Sequence, residues 1–224
     1  MCQNFTKDKK MLDIIKAAAE SHFRLTGKDI GEFSDMKGRG MRFHTNVYEA
    51  EGCGSLCLME MKAAAGLMRM ETGVFSPISV DGPVLSFDYI KAVGKETFFT
   101  ELYDCTFAHP AFGELEEVRK RYESIPDCDP GEHWYDAMRL PVSVFKQGHK
   151  LTDQMSMLFK DYSGIYFRLL EGCAPCDPDE KKKLNGEFVN GLLSNGGPAV
   201  DTFRKIMGDE KTETFLRDHM FSCS

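Results

Sequence analysis

The stretch PVLSFDYIKAVGKETFFTELYDCTF, residues 83–107, contains two runs of alternating side chains on either side of a turn at KAVGKE. Because successive side chains of a strand point to opposite faces, Ser86 and Asp88 share one face while Phe87 and Tyr89 share the other. The pattern predicts a hairpin of two antiparallel strands. An antiparallel sheet is therefore expected at the centre of the fold.

Asp88 is the unexpected residue of this hairpin, because Val84 and Ile90 lie on the same face. A carboxylate among apolar neighbours is costly unless it is paired or protonated, and groups with such raised pKa values are enriched at catalytic sites. A second interpretation is that Ser86 and Asp88 mark the solvent side of a sheet with one wet face. The local pattern leaves both interpretations open.

Similar runs precede the hairpin and predict an antiparallel meander from about residue 40 to residue 107. They are GMRFHTNVYEAE, GSLCLMEMKAA and GLMRMETGVFS, residues 40–51, 54–64 and 66–76. Apolar residues three and four apart predict an amphipathic helix from Lys7 to about Leu25, ended by Gly27.

The later part of the chain predicts helices alone, over residues 114–125, 152–172, 177–195, 198–208 and 209–221. The order of a helix, a run of strands and then helices predicts an α+β fold, with an antiparallel sheet covered by helices. We expect one domain over residues 1–224.

Composition places the chain among ordinary globular proteins, with 42% hydrophobic and 28% charged residues and a net charge of -7. This charge argues against a nucleic-acid surface as the main partner. The N-terminal residues lack the long apolar core of a signal peptide or membrane span, so we expect a cytoplasmic protein. The cysteines are expected to be free thiols. They are Cys2, Cys53, Cys57, Cys105, Cys128, Cys173, Cys176 and Cys223.

The motif CAPC, residues 173–176, has the spacing of a zinc knuckle or a redox pair, but no second close Cys or His pair follows it. The alternative is a plain loop between two helices. No two histidines fall at ligand spacing on one helix, so no bound metal is expected. Gly-rich phosphate loops and a G-x-S-x-G nucleophile motif are also absent from the sequence.

A second acid, Glu71, lies on the strand that precedes the Asp88 strand, with Arg69 beside it on the same face. If the two strands pair, Glu71 and Asp88 could converge. One carboxyl group with a raised pKa and one that stays ionised is an arrangement that proton-transfer enzymes use. The alternative is a catalytically silent surface pair between Arg69 and Glu71.

Basic residues form two short runs, Arg119–Arg121 and Lys181–Lys183. Runs of this kind are usually solvated helix faces. The alternative is a docking patch for an acidic protein.

Two parts of the chain, residues 67–107 and the C-terminal FVNGLLSNGGPAVDTFRKIMGDEKTETFLRDHMF, resemble the ferredoxin-dependent bilin reductases and their relative, red chlorophyll catabolite reductase. The resemblance lies in GVFSP at the end of one strand, a small or aromatic residue before the aspartate of the next strand, a Gly-containing hairpin, and a closing helix pair. It covers about a third of the chain, through the order and spacing of these pieces.

This resemblance implies an α/β/α sandwich whose central antiparallel sheet has helices on both faces, with a linear tetrapyrrole between the sheet and the C-terminal helices. It also implies electrons from ferredoxin or flavodoxin and no tightly bound cofactor. Asp88 matches the family's sheet aspartate, which supplies or shares the substrate proton. Glu71 matches the place of a histidine in the family member that makes phycocyanobilin.

Four further residues are assigned to substrate binding by the resemblance or by position: Arg69, Ser86, Asn195 and His109. Asn195 corresponds to the asparagine of an Asn-Asp pair in some family members, and this chain lacks the aspartate. That departure, and the glutamate in place of histidine, favour a second hypothesis: a tetrapyrrole-binding protein that does not reduce its ligand. A thiol or zinc protein built on Cys173 and Cys176 is the third.

Overall fold

A computed structural model describes residues 10–110 and 112–224; Cys2 and the expected helix start at Lys7 lie outside these ranges. Eight strands form one antiparallel sheet in the order β1-β3-β4-β5-β6-β7-β8, and β2 also pairs with β3. The strands are β1 Leu25–Lys28, β2 Asp35–Gly38, β3 Met41–Ala50, β4 Gly54–Ala63, β5 Met68–Pro77, β6 Val84–Ala92, β7 Lys95–Tyr103 and β8 Val144–His149. The expected meander is confirmed as β3 to β7.

Within residues 10–110 and 112–224, five α-helices surround the sheet: α1 Met11–Glu20, α2 Glu114–Arg121, α3 Thr152–Glu171, α4 Pro178–Asn195 and α5 Pro198–Thr214. A π-helical segment, Phe215–Met220, follows α5 directly. The break expected at Gly208 is present as a kink inside α5, where this glycine has φ 82°. The first helix is shorter than expected, because residues 25–28 form β1 on the free edge of β3.

Helices cover both faces of the sheet, so the expected α+β fold with a central antiparallel sheet is confirmed. On the first face, called face A, Phe75, Phe87 and Phe98 form one core with residues of α1, α2 and α3. On the opposite face B, residues such as Phe43 and Val74 form a second core with α4, α5 and the π-helical segment. The alternation along each strand divides its side chains between the two cores.

Gly73 permits close packing on face A. A Cβ atom at this position would lie 2.2 Å from the ring of Phe87, its cross-strand partner. Phe87 in turn packs against Phe159 of α3, with ring centroids 4.5 Å apart. The glycine of GVFSP therefore lets a large ring lie across β5.

Two buried glutamates on face A hold helix starts against the sheet. Glu71 accepts a hydrogen bond from the backbone N–H of Leu12 at the start of α1, at 3.1 Å. Glu96 accepts from the backbone N–H of Leu151 and from the hydroxyl of Thr152 at the start of α3, both at 2.9 Å. Carboxylates at these places satisfy free N–H groups and suit the positive end of the helix dipole.

The start of α4 is fastened by a fully buried lysine. Lys181 donates to the carbonyl of Gly82 at 2.9 Å, contacts Asp81 at 3.4 Å and also donates to the carbonyl of Cys105. One turn later, Asn185 donates to the carbonyl of Pro77 at 3.0 Å. These bonds fix the first turns of α4 to one end of the sheet.

Within the described ranges, no helix combines the length and the apolar character needed to cross a membrane.

Candidate active site

Asp88 lies on face B, half-buried, in the middle of β6. Its cross-strand partner on β5 is Thr72, whose hydroxyl donates to Oδ1 of Asp88 at 2.5 Å. The other cross-strand partner, on β7, is Phe99. Because Thr72 engages one carboxyl oxygen, the second oxygen remains available to a ligand on this face.

Burial raises the pKa of Asp88 from 3.8 to about 6, against the lowering effect of the Thr72 hydrogen bond, and the nearby Glu101 carboxylate raises it further. A carboxyl group with a pKa near 6 is protonated in about half of the molecules at pH 6 and in about a tenth of them at pH 7, far more than an ordinary aspartate. That property suits a general acid.

Glu101 is the second acid of this site. It lies on β7 opposite Ser86, which is two residues from Asp88 on the same face. Burial raises the pKa of Glu101, while a Tyr103 hydrogen bond and Arg139 oppose the shift. Arg139 holds the carboxylate at 3.2 Å and also contacts Asp136 at 3.1 Å. Glu101 therefore supplies a fixed negative charge beside Asp88.

Half-buried side chains continue across face B from Asp88 towards the strand ends. We call this area the open cleft; its half-buried members are Met70, Ser86, Asp88, Ile90, Thr97, Phe99, Phe145 and Gln147. Phe99 and Phe145 stack edge to face at 5.5 Å, and Arg139 lies 4.8 Å from the Phe145 ring. An apolar surface with a few polar groups is typical of a small-molecule site.

The segment 133–139 and α4 border the cleft through aromatic contacts. Tyr135 packs against Tyr103 at 5.4 Å and stacks with His133 at 4.8 Å. Trp134 lies over α4, where it contacts Phe188 at 5.7 Å between ring centroids. The cleft is thus placed between the sheet and the C-terminal helices.

The expected convergence of Glu71 with Asp88 is wrong. Glu71 pairs across the strands with Tyr89, whereas Asp88 pairs with Thr72, so the two acids point to opposite faces. Glu71 is 2% exposed and binds Arg69 at 2.5 Å and the start of α1. Burial raises the pKa of Glu71, opposed by the Leu12 N–H and Arg69. This geometry gives it a structural task.

The four residues assigned to substrate binding are also separated. Ser86 alone shares the cleft with Asp88. Arg69 lies on face A, where it binds Glu60 at 3.1 Å. His109 is largely exposed and contacts Asp104 at 2.6 Å. Asp104 follows the end of β7 at Tyr103, which is four residues, or about 13 Å, from the Asp88 partner Phe99. Asn195 is exposed and donates to the carbonyl of Gly191 in its own helix.

The two short basic runs differ in how far their charges are paired. In the first, Arg119 and Lys120 contact glutamates of their own helix at 2.8 Å, and Arg121 contacts Asp161 at 2.6 Å. In the second, Lys181 is fully buried against Asp81, whereas Lys182 is half-buried and Lys183 is exposed. The geometry therefore gives no support to a docking patch on the first run, and it leaves a single exposed lysine in the second.

The CAPC segment is extended. Val80 forms a bridge with Pro175, and backbone hydrogen bonds join Asp81 to Ala174 and Cys176 to Ser79. Cys173 lies in the bend after α3 and its thiol donates to the carbonyl of Leu169, whereas the thiol of Cys176 donates to the carbonyl of Ile78. The described part of the chain contains no group of three or more His, Cys, Asp or Glu side chains that could hold a metal ion. The seven described cysteines are free thiols.

Comparison with known proteins gives a match in structure only. No family model matches the chain, and no curated protein matches it in sequence. Among solved structures, the phytochromobilin synthase from tomato, in complex with biliverdin, superposes with a TM-score of 0.74 at 12% sequence identity. The match covers 96% of this chain and 83% of the synthase chain. It shows a shared fold, the one expected from the resemblance to the bilin reductases.

Proposed function

We propose that this protein is a reductase of a linear tetrapyrrole that receives single electrons from ferredoxin or flavodoxin. The observation that carries the proposal is Asp88: a carboxyl group with a raised pKa, on the face of the sheet that looks towards the C-terminal helices, in a fold shared with a synthase solved in complex with biliverdin. No tightly bound cofactor is part of the proposal.

In the proposed reaction the protein binds the pigment, excludes water and supplies protons. The pigment lies in the open cleft, with its apolar rings against Ile90, Phe99 and Phe145. Reduction of one double bond takes up two electrons and two protons. For each proton transfer, Asp88 takes a proton from solvent and donates it to a carbonyl or bridge atom of the reduced pigment. The resulting carboxylate keeps the hydrogen bond from Thr72.

Glu101 replaces Glu71 as the second acid of the proposal. Its charge lies close enough to raise the pKa of Asp88, so it favours the protonated donor. Arg139 holds Glu101 in place and balances part of its charge. Glu101 is therefore a positioning residue that acts through Asp88.

The pairing of Glu101 with Arg139 also favours a second candidate, a tetrapyrrole-binding protein without reductase activity. With Glu101 engaged and Glu71 on the other face, Asp88 is the one acid of these three that is free to donate a proton. A binding protein would need the cleft but no proton donor.

The deciding experiment is an anaerobic absorbance titration with biliverdin, followed by addition of reduced ferredoxin. We expect a spectral shift on binding and conversion of the pigment on reduction, and the Asp88→Asn variant should bind without conversion. Glu71→Gln is the matched control, since it removes a carboxylate from face A. A shift without turnover would favour the binding protein, and no shift would refute both candidates.

A further inference from the structure

Three hairpin connections project from the same end of the sheet. They comprise residues 37–42 between β2 and β3, 62–68 between β4 and β5, and 91–95 between β6 and β7. Because the strands alternate in direction, these connections lie side by side at the end of the sheet opposite the fastened start of α4. We call them together the hairpin-end surface.

This surface is strongly basic in a chain whose net charge is -7. The three connections contain no Asp or Glu. They carry six exposed basic side chains: Lys37, Arg39, Arg42, Lys62, Lys91 and Lys95. Three of these side chains form ion pairs: Arg42 with the exposed Asp35 at 3.3 Å, Lys62 with the largely buried Glu60 at 3.3 Å, and Lys91 with the buried Glu96 at 3.4 Å. Glu71 is buried and bound to Arg69 and to the start of α1. Lys37 and Lys95 form no ion pair in the described part of the chain, and Arg39 donates to the carbonyl of Lys205. The exposed charge of the connections is therefore positive.

Apolar side chains lie in the middle of this basic surface. Leu67 is 70% exposed and Val93 is 88% exposed, and the backbone N–H of Val93 donates to the carbonyl of Leu67 at 3.4 Å. Val93 also has φ 49°, a conformation that β-branched residues rarely adopt. Next to them is a depression of 390 Å³, lined in part by Lys37, Arg42 and Lys62.

The hairpin-end surface adjoins the open cleft. Val93 follows the end of β6 at Ala92, which is four residues, or about 13 Å, from Asp88. Ile90 and its cross-strand partner Met70, both half-buried, lie between them on face B. A protein docked on the hairpins would therefore stand at the open end of the proposed pigment site.

We propose that the hairpin-end surface is the docking site for an acidic electron-transfer protein; this inference rests on the proposed reductase function. Basic groups around an apolar centre attract a negatively charged partner and then bury its contact patch. The rigid strand ends hold these groups in fixed positions. An anionic membrane could also attract the lysines, but the surface offers two aliphatic side chains and no exposed aromatic ring for insertion.

The test compares two double variants that change the net charge equally. Lys37→Glu with Lys95→Glu alters the hairpin-end surface, and neither lysine forms an ion pair in the described part of the chain. Lys160→Glu with Lys183→Glu, on α3 and α4, is the matched control. Binding of oxidised plant-type ferredoxin to the immobilised full chain is measured over a range of salt concentrations, and biliverdin binding is measured separately.

We expect salt-sensitive ferredoxin binding that weakens about tenfold or more in the hairpin variant and changes little in the control. Biliverdin binding should be the same in both. Val93→Asn provides a further variant that suits the backbone, because asparagine tolerates positive φ; it should fold normally and weaken ferredoxin binding.

Equal effects of the two double variants would overturn the inference, because they would show attraction by overall charge alone. Absence of ferredoxin binding would also overturn it. Binding of the chain to vesicles of phosphatidylcholine and phosphatidylserine, lost in the hairpin variant while ferredoxin fails to bind, would identify a membrane surface in place of a protein partner. Loss of biliverdin binding with intact ferredoxin docking would refute the proposed pigment chemistry and leave the docking site standing.

Discussion

Substitution of Asp88 by asparagine should make the protein more stable above pH 6. Asparagine has nearly the same shape and keeps an oxygen that can accept the Thr72 hydrogen bond. It removes the cost of holding a negative charge on a largely apolar face beside Glu101. The variant is therefore expected to fold, and its free energy of unfolding, compared with that of the wild type, measures the cost of ionising Asp88 in the folded protein.

The magnitude follows from the shift in pKa from 3.8 to about 6. Two units correspond to about 3 kcal/mol, and the remaining contact of Asp88 with solvent lowers this to about 1–3 kcal/mol. The folded state binds the proton more tightly than the unfolded state, so the stabilising contribution of protonated Asp88 is fully present below pH 3.8. It falls as the pH rises through about 6, where the folded protein loses the proton.

The assay is urea unfolding of the wild type and the Asp88→Asn variant at about pH 4, 6 and 8. The free energies of unfolding should differ little at the lowest pH and by about 1–3 kcal/mol in favour of the variant at the highest. Ser86→Ala, which changes the same face without removing a titratable group, should show a difference that does not vary with pH. A pH-independent difference for Asp88→Asn would refute the raised pKa.

Three further predictions concern other parts of the structure. Glu71→Gln should lower the free energy of unfolding by about 1–3 kcal/mol, because it removes the charged partner of Arg69 and of the start of α1. Pigment reduction should stay intact. Reduced turnover at unchanged stability would instead show that Glu71 belongs to the catalytic site. Lys181→Met should cost about 3 kcal/mol in thermal or urea unfolding, since it leaves Asp81 buried without its cation; an unchanged midpoint would contradict the anchoring of α4. Gly191→Ala should displace Trp134, whose ring lies 2.1 Å from the added Cβ, and change the fluorescence of this single tryptophan; identical emission spectra would contradict the packing.

The central sheet could be predicted from the sequence because its strands alternate and its hairpins are short. The position of Asp88 within the second hairpin also followed from this alternation. The strand β8 could not be found in the same way, because SVFKQGH is short and follows a Gly- and Pro-rich connection. It forms because β7 offers a free edge, which is a property of the folded sheet.

The residues around Asp88 could be predicted from the sequence only in part. The turn between β6 and β7 pairs Ala92 with Lys95, and counting back from it places Ser86 opposite Glu101. The sequence therefore contained a signal for the second acid. The predicted convergence of Glu71 with Asp88 was wrong because the register between β5 and β6 decides which residues share a face. In the actual register Thr72, and not Glu71, lies opposite Asp88, and a shift of one residue would reverse this. Arg139 reaches the site from a distant loop, and no local pattern indicates that.

The first turns of α4 are held to the sheet more firmly than its last turns. Lys181 and Asn185 clamp its first turns to the sheet, whereas its last residue, Asn195, lies about 15 Å further along and is followed by two glycines with positive φ. The last turns are held by more exposed contacts, because Arg204 donates to the carbonyl of Leu193 and Arg217 donates to Asn190. We expect these contacts to open more readily than the buried ones at the start of the helix. Within α4, amide hydrogens near residue 185 should exchange most slowly and those near residue 195 fastest. Outward movement of the last turns of α4 would admit a large flat molecule without breaking the buried ion pair of Lys181 with Asp81.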